Sequence, residues 1–562
     1  AEYEAQCQRE GAVDFAELLL RAYELLQQDE ALRVHYQQRF RHILVDEFQD
    51  TNPLQYAWLQ LLCGPQTVIF AVGDDDQSIY AFRGADVANM RAFERNYAKG
   101  NVIRLEQNYR SHGNILTAAN ALITNNADRL GKNLWTDAGE GELIRVFQGV
   151  SDLDEARYIV DEIKELTREG LPRHQMALLY RSNAQSRVLE HALFQAGIAY
   201  RVYGGLRFFE RQEVKHALAY LRLIANQDDD TAFLRVVNFP TRGIGARSLE
   251  ALQVEARQLN SSLYNAAASL TGKAGTAVGQ FIRLIEGLRT ETTGLSLPEV
   301  IDHLLDRSGL RQHYQAEKDG QDRLENLEEL VNAAATFAED PEALHNIDRE
   351  TGEATSLLAD FLAHAALEAG EHQAGDQDEA VQLMTVHSAK GLEFSAVFIV
   401  GLEQGLFPHE NAMMARDGLE EERRLMYVAI TRARQRLYLC HAQTRMLHGQ
   451  TRYCLPSSFL DELPEALLQR INTVPAWSAG SYSTGWSEAP SVDMATRVSA
   501  RAAGAAESAG GFHVGQSVVH AKFGAGVILA AEGRGDEARV QVRFGQAGTK
   551  WLALAYAKLE AA

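Results

Sequence analysis

The sequence predicts an α/β protein with parallel sheets, a helical insertion and a small β-barrel at its end. Three observations carry this reading. Continuous apolar runs alternate with helix-period stretches from about residue 42 to 205 and resume at 380, as expected for strands buried on both faces of a parallel sheet. Residues 211 to about 375 are rich in Ala, Leu, Glu and Arg at helical spacing, with almost no strand signal. The last stretch, from 515, has short strands and Gly turns, and RVQVRF (539–544) alternates cleanly.

The elements follow in order. DFAELLLRAYELLQQ (14–28) reads as an amphipathic helix, with Asp14 and Glu17 at capping-box spacing. HILVDE (42–47) and TVIFAVGDDD (67–76) read as strands that run into acid, which places functional loops at strand C-terminal ends. A second α/β unit is predicted from NVIRLEQ (101–107), a helix from about 112, ELIRVFQ (142–148), a helix over 152–168 and QMALLYRS (175–182). After the helical insertion, strands resume at AVQLMTV (380–386), SAVFIVG (395–401) and RLYLCHA (436–442). The expected domains are 1–104, 105–207, 208–376 (the insertion), 377–465, a flexible linker at 466–511 and the barrel at 512–562. The linker assignment rests on the small, polar, aperiodic composition of 473–511.

A length of 562 residues implies about three to five domains. The formal net charge of −21 argues weakly against a nucleic-acid partner, because phosphate contacts need Lys and Arg. A basic channel can nevertheless line an acidic molecule. Cys7, Cys63, Cys440 and Cys454 form no C-x-x-C pair, which disfavours zinc ribbons and clustered Fe–S sites and fits a reducing cytoplasm. Apolar runs such as AVFIVGL (396–402) are too short to span a bilayer. The first residues carry no secretory pattern and no initiating Met, as expected of a trimmed or partial chain.

In ILVDEFQD (43–50) a strand delivers Asp46 and Glu47 together. In nucleotide hydrolases such an Asp organises Mg²⁺ and the following Glu polarises the attacking water. An acidic pair capping a strand–helix junction fits the same residues. VGDDDQSIYAFRGA (72–85) lacks the spacing of a calcium loop. Its Gln77 is suited to a γ-phosphate or its water. Tyr80 and Phe82 fall on one face of an extended segment, where they stack on successive bases or serve as core aromatics. Arg83 beside them suggests a phosphate-facing loop. LEQNYRSHGNIL (105–116) sets Tyr109 and Arg110 side by side before a helix, either as a nucleotide clamp or as a packing Tyr with a surface Arg. NFPTRGIGARSLEAL (238–252) places G-I-G before a helix, an arrangement that exposes backbone N–H groups to phosphate or forms an ordinary turn.

DEFQD, GDDDQSIYAFRGA, QNYRS, TVHSAKGLEF (385–394) and EERRLMYVAITRARQRLYL (421–439) occur in one order. Together they resemble the motifs of the UvrD/PcrA/Rep family of superfamily-one DNA helicases, over nearly the whole chain. The resemblance implies two RecA-like P-loop NTPase motor domains (the first incomplete), an inserted helical arm in the second, and an SH3/Tudor-like barrel. It implies ATP and Mg²⁺ as cofactors, with Asp46 on the metal and Glu47 as catalytic base. Gln77 would couple γ-phosphate to DNA, Arg83 would approach phosphates, and Tyr109 and Arg110 would hold adenine and γ-phosphate. Arg432 would be the arginine finger, an element that can contribute about 10³–10⁵ in rate. Gly391 and Glu393 would face the nucleotide, and His387 and Lys390 would lie near DNA. Tyr80 and Phe82 would stack on bases; the family often has Trp at the second position. Thr241, Arg242, Gly243 and Gly245 would contact duplex. Arg423, Arg424, Arg434 and Arg436 are expected to be solvated or paired with Glu420, Glu421 and Glu422.

The chain contains no G-x-x-x-x-G-K-[ST] run: Gly131-Lys132 continues with Asn133, and Gly272-Lys273 with Ala274. The resemblance implies a 3′–5′ DNA helicase of repair and related processing, and the missing run implies that the chain alone hydrolyses no ATP. Expected partners are single-stranded DNA and its junctions with duplex, and, through the barrel, RNA polymerase or repair proteins. A helicase–nuclease subunit and a non-catalytic DNA- or polymerase-binding fragment are the alternatives.

Overall fold

The computed structural model describes residues 2–127, 129–203, 205–317, 320–339, 356–370, 379–415, 417–447, 450–472 and the strands between 508 and 561. The assigned linker over 473–507 lies outside the described residues.

The N-terminal part holds the expected helix Phe15–Gln28, whose cap Asp14 accepts the Glu17 N–H at 2.8 Å. Two short strands, β1 (His42–Val45) and β2 (Val68–Ala71), pair in parallel. Ile43, Val45, Ile69 and Ala71 face a core of Phe48, Tyr56 and Leu59, because alternate residues of a strand point to one side. Leu44, Val68 and Phe70 on the opposite side are 78%, 59% and 57% exposed, so this sheet is buried on one face only, not on both as the apolar runs suggested.

The larger unit is a mainly parallel sheet of β3 (Ile144–Ser151), β4 (Met176–Tyr180), β5 (Tyr200–Val202), β6 (Val381–Thr385), β7 (Phe394–Ile399), β8 (Ala433–Leu447) and β10 (Leu468–Asn472) in the order β10-β3-β8-β7-β4-β6-β5. β9 (Gln450–Tyr453) runs antiparallel beside β8. Every residue of β4 and β7 is buried, which explains why those runs are apolar without alternation. One face carries Ile115, Leu122, Leu425 and Tyr427 from helices Gly113–Ile123 and Gly418–Ile430. The other carries Ile159, Ile163, Leu189 and Leu193 from Asp152–Arg168 and Ser186–Gln195.

Two expectations differ from the structure here. NVIRLEQ forms no strand: Ile103 and Leu105 are 82% and 78% exposed, and Gln107 alone makes an isolated bridge to Trp135. Apolar, β-branched composition needs a partner edge to become a strand, and this run has none among the described residues. Residues 468–472, assigned to the linker, instead pair in parallel with β3, so the sheet extends to Asn472.

The described residues between 212 and 370 form the helical insertion, with helices from Gln212–Ala225 to Leu357–Gly370 around Phe233, Phe281, Leu304 and Leu330. The insertion joins β5 to β6, which are parallel neighbours. Such neighbours always require a crossover, so the arm is an enlarged crossover that leaves the sheet intact. At the C-terminus, strands Ser517–His520, Gly524–Glu532, Arg539–Phe544, Gly548–Ala553 and Leu559–Ala561 form one antiparallel sheet. Val540, Val542 and Phe544 point inward, as the alternation predicted.

Candidate functional site

Asp46 and Glu47 follow β1 directly, and both are exposed. The backbone turns sharply here: Glu47 has φ 49°, in the left-handed region that disfavours a residue with a Cβ. Asp46 Oδ1 accepts the Glu47 N–H at 2.9 Å, and no cation pairs with Asp46 among the described residues. The Gln49 side chain is buried and ties the two strand ends together. It donates to Glu47 Oε2 and accepts the Asp74 N–H at 2.9 Å. Gly73 is required beside it, since a Cβ there would lie 2.8 Å from Gln49 Oε1.

The loop after β2 is a contact surface between the two sheets. Asp76 takes the Arg129 guanidinium through two bonds of 2.7 and 2.6 Å, Asp75 accepts the Leu130 N–H, and Asp74 pairs with Lys132. Burial pushes the Asp75 carboxyl up from its ordinary value. Gln77 donates to Asp74 Oδ2 at 2.6 Å. From the loop after β6, Lys390 reaches Asp50 Oδ2 at 2.6 Å, the Gln77 carbonyl at 2.9 Å and Glu47 Oε2 at 3.4 Å. The Asp50 carboxyl is raised by burial, against the pull of Lys390.

Tyr80 precedes a 3-10 turn, Ala81–Arg83, and Phe82 lies within it, so the segment is not extended, yet the two rings lie 6.0 Å apart. His387 completes a trio, 6.4 Å from Tyr80 and 5.5 Å from Phe82. The Tyr80 hydroxyl donates to the His387 carbonyl at 3.3 Å, and Lys390 sits 5.2 Å over the Tyr80 ring. Arg83 lies over both rings, at 5.2 and 5.3 Å. Burial, then Arg181 and Arg83, lowers the His387 pKa to about 3, so its ring is neutral at physiological pH. Phe82 is 66% exposed and available to a ligand.

A second group gathers around the start of β8. Arg110 donates from Nε to Glu393 Oε2 at 2.5 Å, and Arg434 lies 3.7 Å from the same carboxylate. The Arg110 contact holds Glu393 below its ordinary pKa. Tyr109 is 84% exposed and donates to Gln107 at 2.8 Å. Arg110 stands two residues before the helix cap His112, as its place ahead of the helix predicted. Gly391 is exposed at φ 86°. Arg432 is 1% exposed; its guanidinium donates to the Val428 and Leu392 carbonyls, each at 3.1 Å. Burial and the nearby Arg110 lower its pKa to about 10, still fully charged at neutral pH.

In the arm, helix Ala246–Leu259 begins just after G-I-G, with Gly243 at φ 73°. Thr241, Gly243 and Gly245 are exposed. Arg242 is turned inward: its guanidinium donates to the carbonyls of Val236, Pro240 and Ser308 and lies over Tyr220 and Phe281. The side chain therefore braces the turn from inside. Of the four flanking arginines, Arg424 alone pairs with one of the three expected glutamates, Glu420 at 3.6 Å. Arg423 pairs with Glu462, and Arg436 with Glu142 and Glu169.

Three family models match in chain order. They are the UvrD/REP helicase N-terminal domain over 1–98, the UvrD-like helicase C-terminal domain over 103–444 and the PcrA/UvrD tudor domain over 514–560. The chain belongs to the UvrD/PcrA helicase family. Among relatives, DNA helicase II of Escherichia coli K12 is 50% identical over 566 residues, covering 99% of this chain and 75% of that protein. The ATP-dependent DNA helicase PcrA of Bacillus subtilis is 38% identical over 569 residues, covering 100% and 76%. The C-terminal domain model spans the arm together with sheet segments on both sides of it. No described helix is long and apolar enough to cross a membrane.

Sequence reasoning missed several groups of this interface. Lys132 enters the sequence reading only through the Gly-Lys that fails as a phosphate loop, and Arg129 does not enter it, although both pair with the DDD run. Asp50 was quoted within DEFQD without a partner, and Gln49 carried no signal at all.

Proposed function

We propose that this chain carries the motor and DNA-binding surfaces of an ATP-dependent 3′–5′ DNA helicase and translocase, which acts on single-stranded DNA and its junctions with duplex. The observation that carries the reading is Lys390. One ammonium pairs with the carboxylates of Asp50 and of the general base Glu47 and lies on the ring of Tyr80, which belongs to the aromatic trio assigned to DNA. A change at either group therefore meets the other through one side chain.

Asp46 suits Mg²⁺: an exposed carboxylate at a strand end with no competing cation among the described residues, able to share a hard ion with water and phosphate oxygens. The ion would neutralise charge on the phosphates. Glu47 accepts a proton from the attacking water, and Gln49 and Lys390 orient it. Arg110 and Arg432 lie together as cations for the transferring phosphoryl group, with Glu393 holding Arg110. Tyr109 offers a free face to adenine. Arg83 serves the phosphates, and Tyr80, Phe82 and His387 serve bases. Thr241, Gly243 and Gly245 present exposed backbone to duplex. Lys390 acts between the sites instead of on DNA directly. The C-terminal sheet takes a protein partner, with RNA polymerase the first to test.

In the complete protein, Glu47→Gln is expected to lower DNA-stimulated ATP hydrolysis about 10²–10⁴-fold while ATP binding persists. Turnover at the parent rate removes Glu47 from its role. A second reading, a binding fragment without catalysis, is favoured for the isolated chain by its lack of a G-x-x-x-x-G-K-[ST] run. The isolated chain is expected to show negligible turnover, and strong DNA-stimulated hydrolysis by it rejects that reading.

A further inference from the structure

Away from the interface just described, two histidines and a glutamate converge from separate parts of the fold. His191 stands on helix Ser186–Gln195, which packs on the large sheet. His364 and Glu368 stand on Leu357–Gly370, the last described helix of the arm. They are four residues apart, so they share one helix face. His191 Nδ1 lies 2.5 Å and His364 Nε2 3.0 Å from the same oxygen, Glu368 Oε1. The two imidazole rings meet edge to face with centroids 5.4 Å apart. The three donor atoms all lie within 4.8 Å of one another.

We propose that His191, His364 and Glu368 form a transition-metal site, of the kind that takes Zn²⁺, which clamps the arm to the motor sheet. Two imidazoles and one carboxylate are a common ligand set for zinc with an open fourth position. Zinc–ligand distances of about 2.0–2.2 Å place tetrahedral donors roughly 3.3–3.5 Å apart. The present spacings need only a small outward movement of the rings to admit an ion. The carboxylate side chain is 8% exposed, while the imidazoles are 21% and 27% exposed, so water can reach the fourth position from the histidine side. Arg207 donates to the Glu368 backbone carbonyl and lies over the Tyr200 ring. The set contains no cysteine, which separates it from any site that the free thiols could form.

The position gives the site its consequence. The arm leaves the sheet after β5 and returns to it at β6, so its orientation depends on contacts between its helices and those beside the sheet. Arg187–Glu329 and Arg211–Ser186 already join the same two parts. A metal bonded to His191 on one side and to His364 and Glu368 on the other would fix the arm in the orientation seen here.

The test uses the whole chain, stripped with a chelator and dialysed against micromolar ZnCl2, with bound metal counted by mass spectrometry. One zinc per chain is expected. His191→Ala and His364→Ala should each weaken binding at least about tenfold, and the pair together should abolish it. Absence of stoichiometric zinc, or equal binding by the double variant, overturns the proposal. A measurement on the unaltered chain guards against misfolded variants: Co²⁺ should give the visible bands of a four-coordinate nitrogen and oxygen site without a thiolate charge-transfer band. A thiolate band would assign the ion to cysteine and also overturns it.

Discussion

Lys390 and Asp50, 340 residues apart in the chain, form a 2.6 Å ion pair between the loop after β6 and the turn after β1. The Lys390 side chain is only 8% exposed and that of Asp50 21%. Removing one partner strands the other in a poorly solvated place. A double-mutant cycle with Lys390→Met and Asp50→Asn, followed by chemical unfolding, should return a coupling of about 1–3 kcal/mol. Additive effects within about 0.3 kcal/mol would show that the pair carries no energy.

Phe82 is exposed and packs little, so its removal should not cost the fold. Phe82→Ala is expected to weaken single-stranded DNA binding by about 1–3 kcal/mol, or roughly 5–150-fold, with an unchanged melting temperature. Phe82→Trp should bind at least as well as the parent. Fluorescence anisotropy with a labelled oligonucleotide reads both; unaltered binding by the Ala variant would remove Phe82 from the DNA site.

Arg242 makes the opposite prediction. Its guanidinium serves three carbonyls inside the arm, so Arg242→Ala should destabilise the arm by about 2–4 kcal/mol. Thr241→Ala, one residue earlier and exposed, should leave stability unchanged and reduce duplex binding. Thermal unfolding and a binding assay on both variants separate the roles; a stable Arg242→Ala protein with poor duplex binding would reverse this assignment.

His387 should stay neutral across the working range. Its pKa in the folded chain is lowered to about 3 from 6.5, chiefly by burial. The folded state thus binds this proton less readily than the unfolded state does. The stabilising contribution is complete above pH 6.5 and is lost as pH falls toward 3. The His387 ring resonances should therefore show no titration between about pH 5.5 and 8 by NMR. A midpoint near 6.5 would mean that the ring is open to water.

Much of this organisation was readable from residue patterns, for a physical reason. Buried parallel strands such as β4 and β7 are almost wholly apolar, and motifs such as DEFQD sit where strands end. Local rules also found the Asp14 cap and the helix after G-I-G. Patterns failed where the deciding partner is distant. NVIRLEQ has strand composition but no edge to pair with, and residues 468–472 join the sheet only because β3 offers one. Arg242 and Arg110 illustrate the same limit at the site. A motif names a guanidinium but cannot say whether carbonyls, a carboxylate or a phosphate will hold it.

Glu47 leaves a mark on the fold that its role alone would not reveal. A side chain held at φ 49° costs roughly 1–2 kcal/mol relative to a relaxed conformation, a strain that glycine would escape. A protein shaped only for durability would have discarded the glutamate. Glu47→Gly should therefore yield a chain that survives heating at least as well and does no work. At this one position, robustness and usefulness pull against each other, and the sequence sides with usefulness.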